Sequence, residues 1–209
     1  MTHLFLVRHG ETPWTREKRY QGWTDTELSE FGRRQAEKLA ERFSGQGIHK
    51  IYASNLLRAR ETAEVIGTSL GKKVHSDPRL REIGFGKWEG KTGAQLIKEK
   101  DPAFSKWSKS LEIDPPGGEN MAAFRSRVRS FARHVLTKDK NKKVLIVGHG
   151  GSLKMMIFEL LDLPAKSLWA IRMEPAAVSL VLTDRYFTQL NYLNDVSHLQ
   201  TLKEKWRKS

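Results

Sequence analysis

Apolar residues along the chain come either in short dense runs or in longer, evenly spaced series. Leu4 to Val7, Lys50 to Ala53, Val144 to Val147, Val178 to Leu182 and Thr188 to Leu193 are runs of strand length. The spaced series have helical period. Phe31 opens one that continues through Ala36, Leu39, Ala40 and Phe43, with Ser29 placed to cap it. A second, from Asn55 to Leu70, puts Leu56, Ala59, Ala63, Ile66 and Leu70 on one face. A third follows Asn120 with Met121, Phe124, Val128, Phe131 and Val135, and a fourth carries Leu153, Met156, Ile157 and Leu160. Strands interleaved with helices predict an α/β, three-layer architecture, a mainly parallel central sheet with helices on both faces. Only "DRYF" separates the last two runs, so that pair is predicted antiparallel. Lys91 to Gly118 has weak periodicity and ends in "PPGG"; it reads as an inserted lid over the strand ends. The tail "LKEKWRKS" is expected to fray.

Two of the strand runs end alike. "LFLVRHGET" and "VLIVGHGGS" each give four apolar residues, one spacer and then His-Gly. In parallel α/β sheets ligands bind beyond the carboxyl ends of the strands. A glycine there lets the backbone come close to a ligand. If the two strands are neighbours, His9 and His149 face each other across a small gap. Arg8 precedes the first of them, and a guanidinium matches the oxygens of a phosphate.

Bulk composition narrows the setting. A chain of 209 residues, 38% hydrophobic with six Trp and nine Phe, has the material for a substantial core. The absence of cysteine removes disulfides, thiol nucleophiles and Cys-based zinc sites together. The opening "MTHLFLV" lacks a leader pattern and no apolar run approaches membrane-spanning length, which sets a cytoplasmic protein with no membrane partner as the expectation. A net charge of +13 favours anionic partners. The basic residues of "KDKNKK" and the tail fall on predicted turns and ends, not along one helix stripe with aromatics. They read as solvated surface, and nucleic acid is not the expected partner.

"LVRHGET" resembles the signature of the histidine phosphatase superfamily, which includes the cofactor-dependent phosphoglycerate mutases. Five further blocks are similar in order along the chain: "RYQGWTDTELSEFGRRQA", "IYASNLLRARETAE", "LREIGFGKWEG", "PPGGEN" and "VGHGG"; "LNDVSHL" resembles a common terminus. The resemblance implies one histidine phosphatase domain over residues 1–209 with a phosphoglycerate mutase-like fold. It implies that His9 attacks phosphorus and carries a phosphohistidine, with its second ring nitrogen held by a backbone carbonyl. Arg8, Arg58 and His149 would surround the phosphoryl group, with Gln21, Gly22 and Gly150 offering further donors. Glu82 would protonate the leaving oxygen and then activate water; Glu89 in "KWEG" is a rival for that role. Thr15 stands where many relatives carry Asn, with a hydroxyl of shorter reach, and the Glu174-Pro175-Ala176-Ala177 stretch lacks an Asn often found before the next strand.

The same resemblance favours hydrolysis of a small phosphorylated metabolite, with mutase-type phosphoryl transfer as the competitor. The shortness of the Lys91 to Gly118 segment supports the former. Among small phosphatases the likeness extends to those acting on α-ribazole phosphate, phosphoserine or a broad set of sugar and glycerate phosphates. The lid would select the leaving group; Trp88, Trp107 and Phe104 are candidates in or beside it, but such aromatics more often fill a core or rim, and none is assigned. A metal is not expected, because Arg8 and Arg58 would repel a divalent cation, and no cofactor is implied. "GTSLG" satisfies G-x-S-x-G, but Ser69 follows a helical pattern, the reverse of a nucleophile elbow. "GHGGSLK" lacks the spacing of a nucleotide-binding phosphate loop. The tail or the Val178 strand offers the surface for a homodimer.

Overall fold

A computed structural model describes residues 1–107 and 113–202, without the side chains of residues 165 and 166. The strands are β1 (Thr2–Arg8), β2 (Lys50–Ala53), β3 (Val74–Ser76), β4 (Lys143–Gly148), β5 (Val178–Thr183) and β6 (Thr188–Asp195). The helices are α1 (Pro13–Arg16), α2 (Glu30–Phe43), α3 (Leu57–Leu70), α4 (Gly93–Lys98), α5 (Pro102–Trp107), α6 (Met121–Lys138) and α7 (Gly150–Leu160). One mixed sheet runs in the order β3-β2-β4-β1-β5-β6. Its first four members are parallel, while β5 is antiparallel to both β1 and β6.

Alternation along the strands divides the core into two layers. Leu4, Leu6, Tyr52, Val144 and Ile146 join Phe124, Val128 and Phe131 of α6 and Leu153 and Met156 of α7 on one face. Phe5, Val7, Ile51, Ala53, Leu145 and Val147 join Phe31, Leu39 and Phe43 of α2 and Ala59, Ala63 and Ile66 of α3 on the other. This is the three-layer arrangement that the strand and helix periods predict. The run at Val178 is not an edge, since β5 lies between β1 and β6. It is unavailable for pairing with a second copy; the sheet's free edges are β3 and β6. The tail after Leu202 lies outside the described residues, as do residues 108–112 of the predicted lid.

The described part of the predicted lid is anchored to the core together with residues just before it. Trp88, Phe104 and Trp107 are buried in the same core layer as β1 and β4, with Leu96 beside them. Trp88 meets Phe104 edge-on at 5.4 Å between ring centroids and Trp107 at 5.4 Å. Tyr20 and Phe85 complete the aromatic cluster. These side chains fasten the segment to the core, the filling role that aromatics most often take.

Candidate active site

Strand register brings the two imidazoles together. In the parallel β1–β4 pair Arg8 lies opposite Gly148, so His9 and His149 leave the sheet side by side. Their ring centroids are 5.1 Å apart at a tilt of 57°. The His9 backbone N–H donates to Gly148 O (3.0 Å), which fixes the first turn out of the strand. His9 Nδ1 lies 2.7 Å from Gly10 O. A carbonyl only accepts, so Nδ1 carries the hydrogen and Nε2 keeps its lone pair. Burial, then Arg58 and Arg8, hold His9 well below the usual imidazole pKa. Burial and Arg58 do the same for His149. Both rings are therefore neutral near pH 7, and His149 is buried with neither ring nitrogen hydrogen-bonded.

Two guanidinium groups stand over the rings, each fixed from behind by carbonyls. Arg8 Nη1 donates to Met173 O at 2.5 Å. Arg58 donates to Thr24 O (3.0 Å) and Gly22 O (2.8 Å). Neither arginine has a carboxylate partner among the ion pairs of the described residues, and Nε of both is buried without an acceptor. Burial brings the Arg58 pKa down to about 10, still far above neutrality. Arg58 reaches this place because Asp25 Oδ1 accepts from Leu57 N (2.6 Å), capping the first turn of α3 from another loop. That cap explains why α3 starts at Leu57 and not at Asn55.

Glu82 closes the ring from the side of α7. Its carboxylate accepts from Gly151 N (2.9 Å), Ser152 N (3.1 Å) and its own neighbour Ile83 N (3.0 Å). A negative group belongs at a helix N-terminus, where free N–H groups and the helix dipole meet it. Gly151 is required for this approach, because a Cβ there would stand 2.3 Å from Glu82 Oε1. Gly150, one residue earlier, faces Arg8.

The loop after α1 carries a hydroxyl–amide network. Gln21 Oε1 accepts from Thr12 Oγ1 (2.9 Å) and Thr26 Oγ1 (2.7 Å), and Gln21 Nε2 donates to Thr15 Oγ1 (3.2 Å). Thr15 Oγ1 also accepts from Thr12 N (3.2 Å) and lies 2.9 Å from Thr12 Oγ1. With the Thr12 hydrogen committed to Gln21, the Thr15 hydrogen goes to Thr12. Thr15 lines the cavity, but its hydroxyl is engaged in this network; Gln21 keeps one N–H for a ligand. Glu89, the rival for the acid role, is not among the groups that line the cavity. Its oxygens take Trp23 N, Phe85 N and Thr24 N at 2.9–3.0 Å, so it binds loop to loop. Gly22, at φ +54°, permits that contact, since a Cβ would meet Glu89 Oε1 at 1.9 Å.

Comparison with known proteins bears directly on this arrangement. The model of the histidine phosphatase superfamily (branch 1) matches residues 4–196. The chain belongs to that superfamily. A protein of Serratia proteamaculans named "Probable phosphoglycerate mutase GpmB" is 35% identical over 214 residues, covering 96% of each chain. The solved structure of Bacillus stearothermophilus YhfR is 34% identical, with a TM-score of 0.88 over 96% of this chain and all of that one. The α-ribazole phosphatase of Shigella flexneri is 31% identical, with a TM-score of 0.84 over 92% and 96% of the two chains.

In this histidine phosphatase the site opens into a cavity of about 600 Å³. Arg8, His9, Thr15, Gln21, Gly22, Arg58, Glu82 and Gly150 line it; His149 lies behind His9. No described residue of the 91–118 segment is among the lining groups. Tyr20, Phe85, Lys154, Trp169 and Arg172 form the walls instead. Lys154 and Trp169 lie outside the matched motifs, and only the position of Lys154 one turn past "HGG" could have signalled it.

Arg127 was equally unforeseen. Its guanidinium donates to the carbonyls of Arg79, Arg81 and Glu82 at 2.7–2.8 Å and pairs with Glu119 of "PPGGEN". Trp23 Nε1 adds a second donor to Glu82 O at 2.8 Å. Glu82 is thereby held by backbone and side chain alike. Among the described residues no group of three or more metal-ligating side chains forms, and no helix is long and apolar enough to cross a membrane. Ser69 is an exposed residue near the end of α3, remote in role from any elbow.

Proposed function

We propose that the chain hydrolyses small phosphomonoesters through a phosphohistidine on His9, acting as one domain. The observation that carries this reading is the His9 ring itself. It is neutral, its Nδ1–H is tied to Gly10 O, and its charge is opposed by two guanidinium groups that have no ion-pair partner among the described residues. Nε2 attacks phosphorus in line as the ester P–O bond breaks, and Glu82 delivers a proton to the departing oxygen. Glu82 then takes a proton from water, whose oxygen attacks the phosphohistidine, breaking P–N and releasing inorganic phosphate. Arg8, Arg58 and the neutral His149 receive the phosphoryl oxygens. At an effective dielectric near 20, each unit charge about 4 Å from an oxyanion contributes roughly 4 kcal/mol, so two fixed arginines supply a large share of transition-state stabilisation.

Transfer to a second hydroxyl is the rival outcome, supported by the name of the Serratia relative. Hydrolysis is favoured because Leu96, Phe104 and Trp107 anchor the short 91–118 segment in the core and none of its described residues lines the cavity. The deciding experiment feeds phosphorylated metabolites to the protein and follows both inorganic phosphate and isomerised product. Phosphate release is expected, with an acid-labile label on the wild-type protein that is absent from His9→Ala. Isomer without phosphate would replace hydrolysis by transfer, and undiminished turnover in His9→Ala would remove the nucleophile.

A further inference from the structure

The phosphate corner leaves one cation of the cavity unexplained. Lys154 is half-buried on α7 and lines the cavity, yet it forms no ion pair or hydrogen bond among the described residues. Its neighbours do not share this condition. Arg172 pairs with Glu174, and Arg19 pairs with Glu17 and donates to Gly90 O. Lys18, the other lysine at the wall, is exposed to water.

Residues three and four apart share a helix face, so Lys154 follows Gly150 and Gly151 along the side that meets Arg8 and Glu82. Four residues advance a helix about 6 Å, and side chains lean back toward its N-terminus. Lys154 is thus placed on the cavity side of the helix, near enough to Glu82 for that carboxylate to act on its charge. It rests 5.1 Å from the centre of the Trp169 ring. Trp169 also lines the cavity, and its indole Nε1–H is buried without an acceptor. Burial holds the Lys154 pKa below the usual value, with the charge of Glu82 opposing that shift. A desolvated ammonium and an indole donor, both lacking an acceptor, are what a second anionic group would satisfy.

We propose that Lys154 and Trp169 form a second anion subsite, and that the substrate is a phosphomonoester bearing a further carboxylate or phosphate a few bonds from the ester oxygen. This rests on the phosphatase reading of the same cavity. It separates the substrate from phosphomonoesters whose remaining part is uncharged.

Two matched pairs test it: 3-phosphoglycerate against glycerol 3-phosphate, and fructose 1,6-bisphosphate against fructose 6-phosphate. The wild-type protein is expected to prefer the more anionic member of at least one pair, and which pair it is distinguishes carboxylate from phosphate. Lys154→Met should lower kcat/KM for that member roughly 10- to 100-fold, the worth of a hydrogen bond to a charged group, mainly through KM. The less anionic member should lose distinctly less, and Lys154→Arg should retain most of the preference. Calorimetric binding of the same compounds to His9→Ala, with and without Lys154→Met, reads the subsite without turnover. A binding preference that disappears with Lys154 upholds the subsite even if no phosphate is released, a result that would defeat the phosphatase reading alone. Equal losses for both members of each pair, or no preference in the wild type, would overturn the subsite; the former would mean that Lys154 serves only to balance Glu82.

Discussion

The paired imidazoles make the stability of the protein depend on pH in a way that can be calculated. His9 and His149 are buried with their pKa values held well below the ordinary imidazole range, chiefly by desolvation and by the two arginines. In the unfolded chain each returns to about 6.5. Below that pH the unfolded state binds one proton per ring that the folded state refuses, so stability is complete above about 6.5 and is lost as pH falls. The limiting slope is about 1.4 kcal/mol per pH unit for each ring. Integrated from pH 7 to pH 5.5, two rings that stay neutral throughout remove at most about 2.5 kcal/mol, a large part of a typical domain's margin. The histidines His3 and His75 also have lowered pKa values, but they cancel if the reference is His9→Gln/His149→Gln. The shifted carboxylates Asp77, Asp139 and Glu159 are lowered from ordinary values that already lie below this window. Urea unfolding of both proteins at pH 7.0 and 5.5 measures the effect. The wild type should lose more than the double variant, by up to about 2.5 kcal/mol. Equal losses would show that the rings accept protons in the folded state, and the neutral nucleophile would go with them.

Gly151→Ala should lower kcat at least about tenfold while the fold persists, because its Cβ would displace the Glu82 carboxylate; unchanged kcat would remove Glu82 from proton transfer. Trp88→Ala should cost about 3–5 kcal/mol of stability with unaltered ratios of kcat/KM among substrates, since the indole is wholly buried away from the cavity. A changed substrate order would show that the aromatic cluster reaches the ligand after all.

The parts of the fold that were legible in the sequence are those where one period rules. Leu4 to Val7 and Val144 to Val147 are covered on both faces, and such strands read as unbroken apolar runs. The helices α2 and α6 bury one stripe each, and their spacing shows it. Strand β3 escaped because it is a short outer strand with His75 and Ser76 exposed, leaving no pattern to find. The four-residue α1 depends on Thr12 and Pro13 at its start, too little for periodicity. The histidines, Arg8, Arg58 and Glu82 were visible through matched motifs, whereas the loop-to-loop contacts of Glu89 were not, since its partners come from other parts of the chain. Arg127 and Trp169 gave no local signal, and Lys154 only its place one turn past "HGG". Their roles arise from helix faces and carbonyls brought together only by tertiary packing.

One consequence follows from the position of β1 at the middle of the sheet. The strand that carries His9 has β4 on one side and β5 on the other, and its first neighbour begins at Lys143. On the ribosome, then, the strand that leads to His9 emerges ahead of both its neighbours and waits with its hydrogen-bonding edges open until β4 and β5 have been made. The acceptor carbonyl at Gly148, the helix that receives Glu82 and the Met173 carbonyl that steadies Arg8 all arrive afterwards. A nascent chain stopped before Met173 would therefore hold His9 and Arg58 without the carbonyl that fixes Arg8.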